Sequence, residues 1–213
     1  MILFGASESG LELRRQSDGS TRLAGRFPYG RIAVLSDGGR SGLPRKEQFG
    51  PRAFGYRVEL PEQEIHLLVG HSFDRPLASR GAGTLRLTDS DQALTFEATI
   101  VPAIAETSHG RDALAMIGAG LAIGLSPGFR MPPARAVPPE QAERIEEEPV
   151  RPERGEHGAI IRTILQALLY ELSIVTRPAY DEAQVEARNW SPPTIPPDRS
   201  LSAAARHRLR WRP

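Results

Sequence analysis

The chain is expected to fold as an α+β, mainly β protein: a single-domain antiparallel β-barrel core with a few peripheral helices, an irregular proline-rich insertion and a flexible C-terminal tail. Three observations carry that expectation. The 213 residues, 39% hydrophobic and 25% charged, suffice for one domain with a real core and are few for two. Short runs alternate apolar and polar residues and are broken by Gly, Pro, Asp and Ser, which is the pattern of half-buried strands. Helical spacing is confined to two stretches, Ser108–Gly118 and Ile160–Leu169.

Taken in order, Ile65, Leu67 and Val69 point one way in a run that ends at His71, with His66 pointing the other way. Leu85 and Leu87, then Leu94, Phe96, Ala98 and Ile100, repeat the alternation across a Thr-Asp-Ser-Asp turn and predict a hairpin around Thr88–Gln92. Ser108–Gly118 places Leu114 and Ile117 three apart, with Ser108 as cap and Gly118 and Gly120 as stops, and predicts a short helix. A strand follows over Leu121–Ser126. In Ile160–Leu169 both periods coexist, so a helical or turn start is expected to become a strand near Leu169. Pro132–His157 and Asn189–Pro213 hold more than half of the 19 prolines and read as irregular. The chain thus divides into a domain over residues 1–188, with an insertion at about 132–158, and a Pro- and Arg-rich tail over 189–213. The insertion is either a lid or a passive surface excursion.

Composition removes several classes of function. Without cysteine there is no disulfide scaffold, thiol nucleophile, iron–sulfur cluster or Cys-ligated zinc. Lys+Arg 27 against Asp+Glu 26 leaves a net charge of +1, which supplies no bulk nucleic-acid footprint. The longest uncharged apolar stretch, Ala113–Leu125, contains three glycines and falls short of the ~20 residues that cross a bilayer. The start, MILFGASESG, has no secretory pattern, so the chain is expected to stay where it is made. No two histidines have HExxH spacing, and neither metal nor cofactor is expected.

Three side chains can carry chemistry. Ser126 ends a strand in which Leu121, Ile123 and Leu125 face one side while Ala122, Gly124 and Ser126 form a face of small residues, leaving room for an extended peptide. The plain alternative is a strand end entering a turn. Gly124-Leu125-Ser126-Pro127-Gly128 also matches the G-x-S-x-G nucleophile elbow, but that motif needs a helix directly after the serine, and Pro127, Pro132 and Pro133 oppose one. His71 sits where its strand leaves the core and can take a proton, or is simply structural. Glu171 shares a strand face with Leu169, Ser173 and Val175, where ionisation needs a compensating partner such as an imidazole. Otherwise it is an edge-strand acid facing water.

Four stretches, in order, resemble the caudoviral prohead protease family, head-maturation serine proteases related in fold to the herpesvirus capsid-assembly protease. Glu47–Phe54 resembles an E-x-h-x-P-G-A-F element with Arg52 in place of the usual glycine. His71–Ala78 resembles H-x(4)-P-L-G with Ala78 in place of glycine. Gly124–Phe129 is similar to G-h-S-x-G-F, and Glu171–Ala179 to E-x-S-h-V-x-x-P-A. The resemblance spans roughly Gly25–Ala187.

The resemblance implies Ser126 as nucleophile, His71 as general base and then acid, and Glu171 as the carboxylate that orients His71. Related capsid proteases use histidine in the third role, and Glu97 is an alternative acid. Backbone N–H groups of Ser126–Phe129, helped by Arg177, would stabilise the oxyanion. The implied substrates are major capsid protein, scaffolding protein and the chain itself, cut inside the immature capsid in the host cytoplasm, with a homodimer or higher oligomer as the assembly. No membrane partner is implied. The tail, arginine-rich and without an acid after Asp198, is expendable or binds nucleic acid or an acidic surface through Arg206, Arg208, Arg210 and Trp211. Two rivals remain: a non-catalytic capsid-assembly or scaffolding protein of the same fold, and a generic β-barrel binding module in which His71 and Glu171 are structural.

Overall fold

The computed structural model describes residues 11–38, 42–122, 124–154 and 156–176. Along the chain run β1 (Glu12–Arg15), β2 (Thr21–Pro28), β3 (Ala33–Ser36), β4 (Arg45–Phe49) and a single helical turn α1 (Gly55–Val58). Next come β5 (His66–Val69), β6 (Ser72–Ser79), β7 (Leu85–Asp89), β8 (Ala93–Ile100), the turn α2 (Pro102–Ala105) and α3 (Ser108–Gly118). The remainder holds β9 (Gly124–Arg130), α4 (Pro139–Ala142), β10 (Glu143–Glu147), β11 (Val150–Arg151), β12 (Glu156–His157), β13 (Ile160–Ile164) and β14 (Leu168–Val175).

The expected mainly β class holds, but the strands form three four-stranded sheets and a two-stranded ribbon, and no closed barrel is found among the described residues. The first sheet, in the order β1-β2-β8-β7, is antiparallel throughout. Alternation builds it: Leu23 and Phe27 of β2, with Leu94, Phe96, Ala98 and Ile100 of β8, are buried while their neighbours face out. The predicted hairpin is there, β7 and β8 joined through Ser90–Gln92, with the Ser90 hydroxyl donating to Ala93 O at 2.9 Å. Gly25 lacks a side chain because one would stand 2.5 Å from the Phe96 ring.

The second sheet runs β10-β13-β4-β3 and the third β6-β5-β14-β9. Each contains one parallel pair, β13 with β4 and β14 with β5, which an all-antiparallel core does not. Between β13 and β14 the backbone bonds a turn instead of a neighbouring strand: Gly50 N–H donates to Ile164 O at 2.8 Å and Ala167 N–H to Ala53 O at 2.7 Å. The chain therefore crosses from one sheet into the next instead of continuing one ladder. The core lies where the sheets meet: Phe49 is 5.5 Å from the Phe27 ring, 4.9 Å from Phe54 and 5.2 Å from Phe129.

Helix α3 coincides with the predicted span, but Thr107 caps it, accepting from Gly110 N–H at 3.1 Å, and Gly120 follows its end at φ +70°. Three expectations are corrected. Ile160–Leu169 contains no helix: it starts as strand β13 (Ile160–Ile164), and the strand expected near Leu169 is β14, which begins at Leu168. The strand expected over Leu121–Ser126 begins at Gly124, and Leu121 is exposed; Ile123 lies outside the described residues. The insertion at 132–158 is irregular only in part: 132–138 carry no helix or strand, but β10 pairs antiparallel with β13 along its whole length, and Arg162 of β13 bonds Glu143 of β10 at 2.5 Å. No helix among the described residues is long and apolar enough to cross a membrane.

Candidate active site

The third sheet has two faces, and the register assigns residues to each. Leu125 of β9 pairs with Ile174 of β14, Leu172 pairs with Leu67 of β5, and all four belong to the hydrophobic core. Residues one step along the strands point the opposite way. Ser126 pairs with Ser173, Gly128 with Glu171, and His66 with Glu171 from the other side. Ser126, Gly128, Glu171, Ser173 and His66 therefore share the face turned away from the aromatic core.

Glu171 reaches that face through a β-bulge. The ladder shifts between Leu169 and Glu171, so Tyr170 is the extra residue on β14. Leu169 then remains in the core, opposite Phe129, while Glu171 and Ser173 turn away from it. The expected sharing of one face by Leu169, Glu171 and Ser173 is thereby corrected. Tyr170 is braced between two cations: the Arg57 guanidinium lies 4.1 Å over its ring and that of Arg130 lies 5.3 Å away.

His71 differs from expectation in a similar way. It does not continue the strand on the face of Ile65, Leu67 and Val69; the ladder closes at Val69 with Ser72, and Gly70 and His71 form a two-residue loop. Both have φ +60°, the backbone of a type I′ hairpin turn, where non-glycine residues are uncommon. The turn swings the imidazole toward β14. Its Nδ1 lies 2.7 Å from Glu171 Oε1. Glu171 is 3% exposed, whereas the His71 side chain is 46% exposed. Here the predicted need of Glu171 for a partner is met.

The carboxylate has a second partner. Ser173, fully buried, donates its hydroxyl to Glu171 Oε2 at 2.7 Å and accepts the His71 backbone N–H at 2.8 Å. Each oxygen of Glu171 thus has one hydrogen-bond partner, Oε1 the Nδ1 of His71 and Oε2 the Ser173 hydroxyl. With the proton on Nδ1, Nε2 would carry the free lone pair. Gly128 completes the geometry: a methyl group there would overlap Glu171 Oε1 and stand 2.6 Å from its Cδ. The carboxylate lies across the position where Gly128 has no side chain, and Ser126 is two residues earlier on the same face.

Ser126 is half-buried on β9, one of the two edge strands of its sheet among the described residues. Glu97 lies elsewhere, on β8 of the first sheet, paired with Arg86 and Ala24. It helps line a concavity of about 410 Å³ with Arg14, Arg22 and Arg86, in which no serine or histidine takes part. Of the two acids considered, Glu171 is the one bonded to His71. His66 points away from Ile65, Leu67 and Val69 as expected and so lies on the Glu171 face, where its ring is 5.7 Å from that of Phe73. Arg177 and the tail lie outside the described residues. Sequence reasoning missed the Ser173 hydroxyl as a partner of Glu171 and the closeness of Gly128 to that carboxylate; the signal for both was their place two residues after Glu171 and Ser126.

Arg52, where the resemblance has glycine, takes φ +53°, so the backbone still makes the left-handed turn. A family model described as caudovirus prohead serine protease matches residues 38–193, which include all of these site residues. No curated protein and no solved structure matches the chain.

Proposed function

The chain belongs to the caudovirus prohead serine protease family, and from that premise we propose that it cuts major capsid or scaffolding protein, and itself, inside the immature capsid, using Ser126, His71 and Glu171. Ser126 Oγ attacks the scissile carbonyl as its proton passes to Nε2 of His71. Glu171, bonded to Nδ1, holds the tautomer and compensates the imidazolium. His71 then gives the proton to the departing amine, and water releases the acyl group from Ser126. Pro127 has no N–H, which leaves the amides of Ser126, Gly128 and Phe129 as the backbone donors of this stretch for the oxyanion. An extended substrate aligns along the outer edge of β9.

The observation that carries this reading is the pairing of His71 with a buried carboxylate on the sheet face that Ser126 shares. Co-expression with the cognate major capsid protein, followed by intact-mass measurement, tests it. Wild-type protein should shorten the capsid protein and lose its own tail residues, and Ser126→Ala should do neither. Identical fragments from both would refute the assignment.

A further inference from the structure

Ser173 is a fully buried hydroxyl to which the proposed reaction gives no part. A hydroxyl has one proton and two lone pairs. Its proton goes to Glu171 Oε2 and one lone pair receives the His71 N–H, which with the Nδ1 contact closes a ring: His71 backbone, Ser173, Glu171, His71 imidazole. We propose that Ser173 is a positioning residue for the general base, an inference that rests on the role given to His71 above. The ring ties the imidazole to its own main chain through the carboxylate. It does so where such a tie is needed, because a non-glycine residue at φ +60° keeps that conformation only when its surroundings impose it. Burial leaves no room for water to replace the hydroxyl. Ser173 also stands directly across from Ser126, yet its one proton is committed to Glu171, so it does not compete for Nε2 of His71.

The test compares wild type, Ser173→Ala and Ser173→Cys, a thiol being a weak donor and acceptor of similar size. The first readout is labelling by a fluorophosphonate: the serine Oγ bonds to phosphorus, fluoride leaves, and the serine proton passes to His71. Losing a hydrogen bond to a charged group should lower the limiting labelling rate of Ser173→Ala by about 10-fold or more while half-saturation stays within about twofold, with Ser173→Cys in between. The second is the ¹⁵N spectrum of the His71 ring, which should show one tautomer, Nδ1–H, in wild type and a mixture in Ser173→Ala. A residue that merely fills space would move neither. An unchanged labelling rate, or a slower rate with the wild-type tautomer, overturns the proposal. Should Ser173→Ala not fold, Ser173→Cys carries both readouts. Ser126→Ala is measured alongside: if it labels like wild type, the nucleophile assignment fails, while the tautomer still decides the role of Ser173.

Discussion

Gly128→Ala tests the site while keeping every reacting side chain and the Gly128 backbone N–H. The added methyl would overlap Oε1 of Glu171 and lie 2.6 Å from Cδ and 2.8 Å from Cγ, whereas carbon atoms rest at about 3.5–4.0 Å. Clearing it moves the carboxylate by about 1 Å, which takes the 2.7 Å contact with His71 Nδ1 outside good hydrogen-bond range. A hydrogen bond to a charged group contributes about 1.5–3 kcal/mol, so the fluorophosphonate labelling rate should fall about 10- to 150-fold. Leaving a buried acceptor short of a partner should also lower the unfolding free energy in urea by about 1–3 kcal/mol. The decisive comparison is a double-mutant cycle: in a Glu171→Ala background the same methyl meets no carboxylate and should change labelling by less than about twofold. An equal loss in both backgrounds would mean that the methyl acts through the backbone of β9. Full activity in the single mutant would mean that the His71–Glu171 contact is dispensable.

Two further expectations concern the scaffold. Arg52 holds φ +53° and pairs with Glu59 on the surface, so Arg52→Gly and Arg52→Ala both lose the ion pair and differ chiefly in backbone preference. Arg52→Gly should be the more stable of the two by about 1 kcal/mol in urea denaturation, and equal stabilities would refute the conformational account. Burial raises the pKa of Asp89 above 3.8, outweighing the Tyr29 hydroxyl that donates to it at 2.6 Å and the Phe54 N–H at 3.1 Å. The folded state therefore binds this proton more tightly than the unfolded chain. The stability it adds is complete below pH 3.8 and is lost as pH rises through the higher folded value. Urea titrations across that window should show a downward slope in wild type that flattens in Asp89→Asn; an unchanged slope would assign it to other groups.

What the sequence made legible was local. The hairpin at Thr88–Gln92 and the helix Ser108–Gly118 depend on turn chemistry and on spacing within a few residues, and both stand where predicted. The strand β10 was invisible because Glu-Arg-Ile-Glu-Glu is almost wholly exposed; it is held by ladder bonds to β13 and by the ion pair of Glu143 with Arg162, neither of which leaves an apolar pattern. The parallel pairs were hidden for a related reason, since partners such as Leu172 and Leu67 lie about a hundred positions apart. Among the candidate residues, alternation placed Ser126 opposite Leu125 and Glu171 beside Ser173, as found, but it misplaced His71 and put Leu169 on the Glu171 face. Period-two reasoning carries a face along a strand only while the chain stays regular, and β14 bulges at Tyr170 while β5 turns at Gly70, after a β5–β6 ladder that shifts at Leu67/Leu68 and Leu68/Val69.

Those two breaks are what allow one sheet to have both a core and a site. Leu169, Leu172 and Ile174 of β14 are all buried in the core. Three steps separate the first two, an odd number, so a regular strand would send one of them to the opposite face. The bulge at Tyr170 absorbs the odd step, and the residues displaced from the core by it are Glu171 and Ser173. On the neighbouring strand a regular continuation past Val69 would have placed His71 on the core side, away from Glu171. The positive φ angles of Gly70 and His71 turn the chain back before that happens. An imidazole and a carboxylate a hundred residues apart therefore meet because each ladder departs from regularity, and both departures sit within one residue of the side chain they aim.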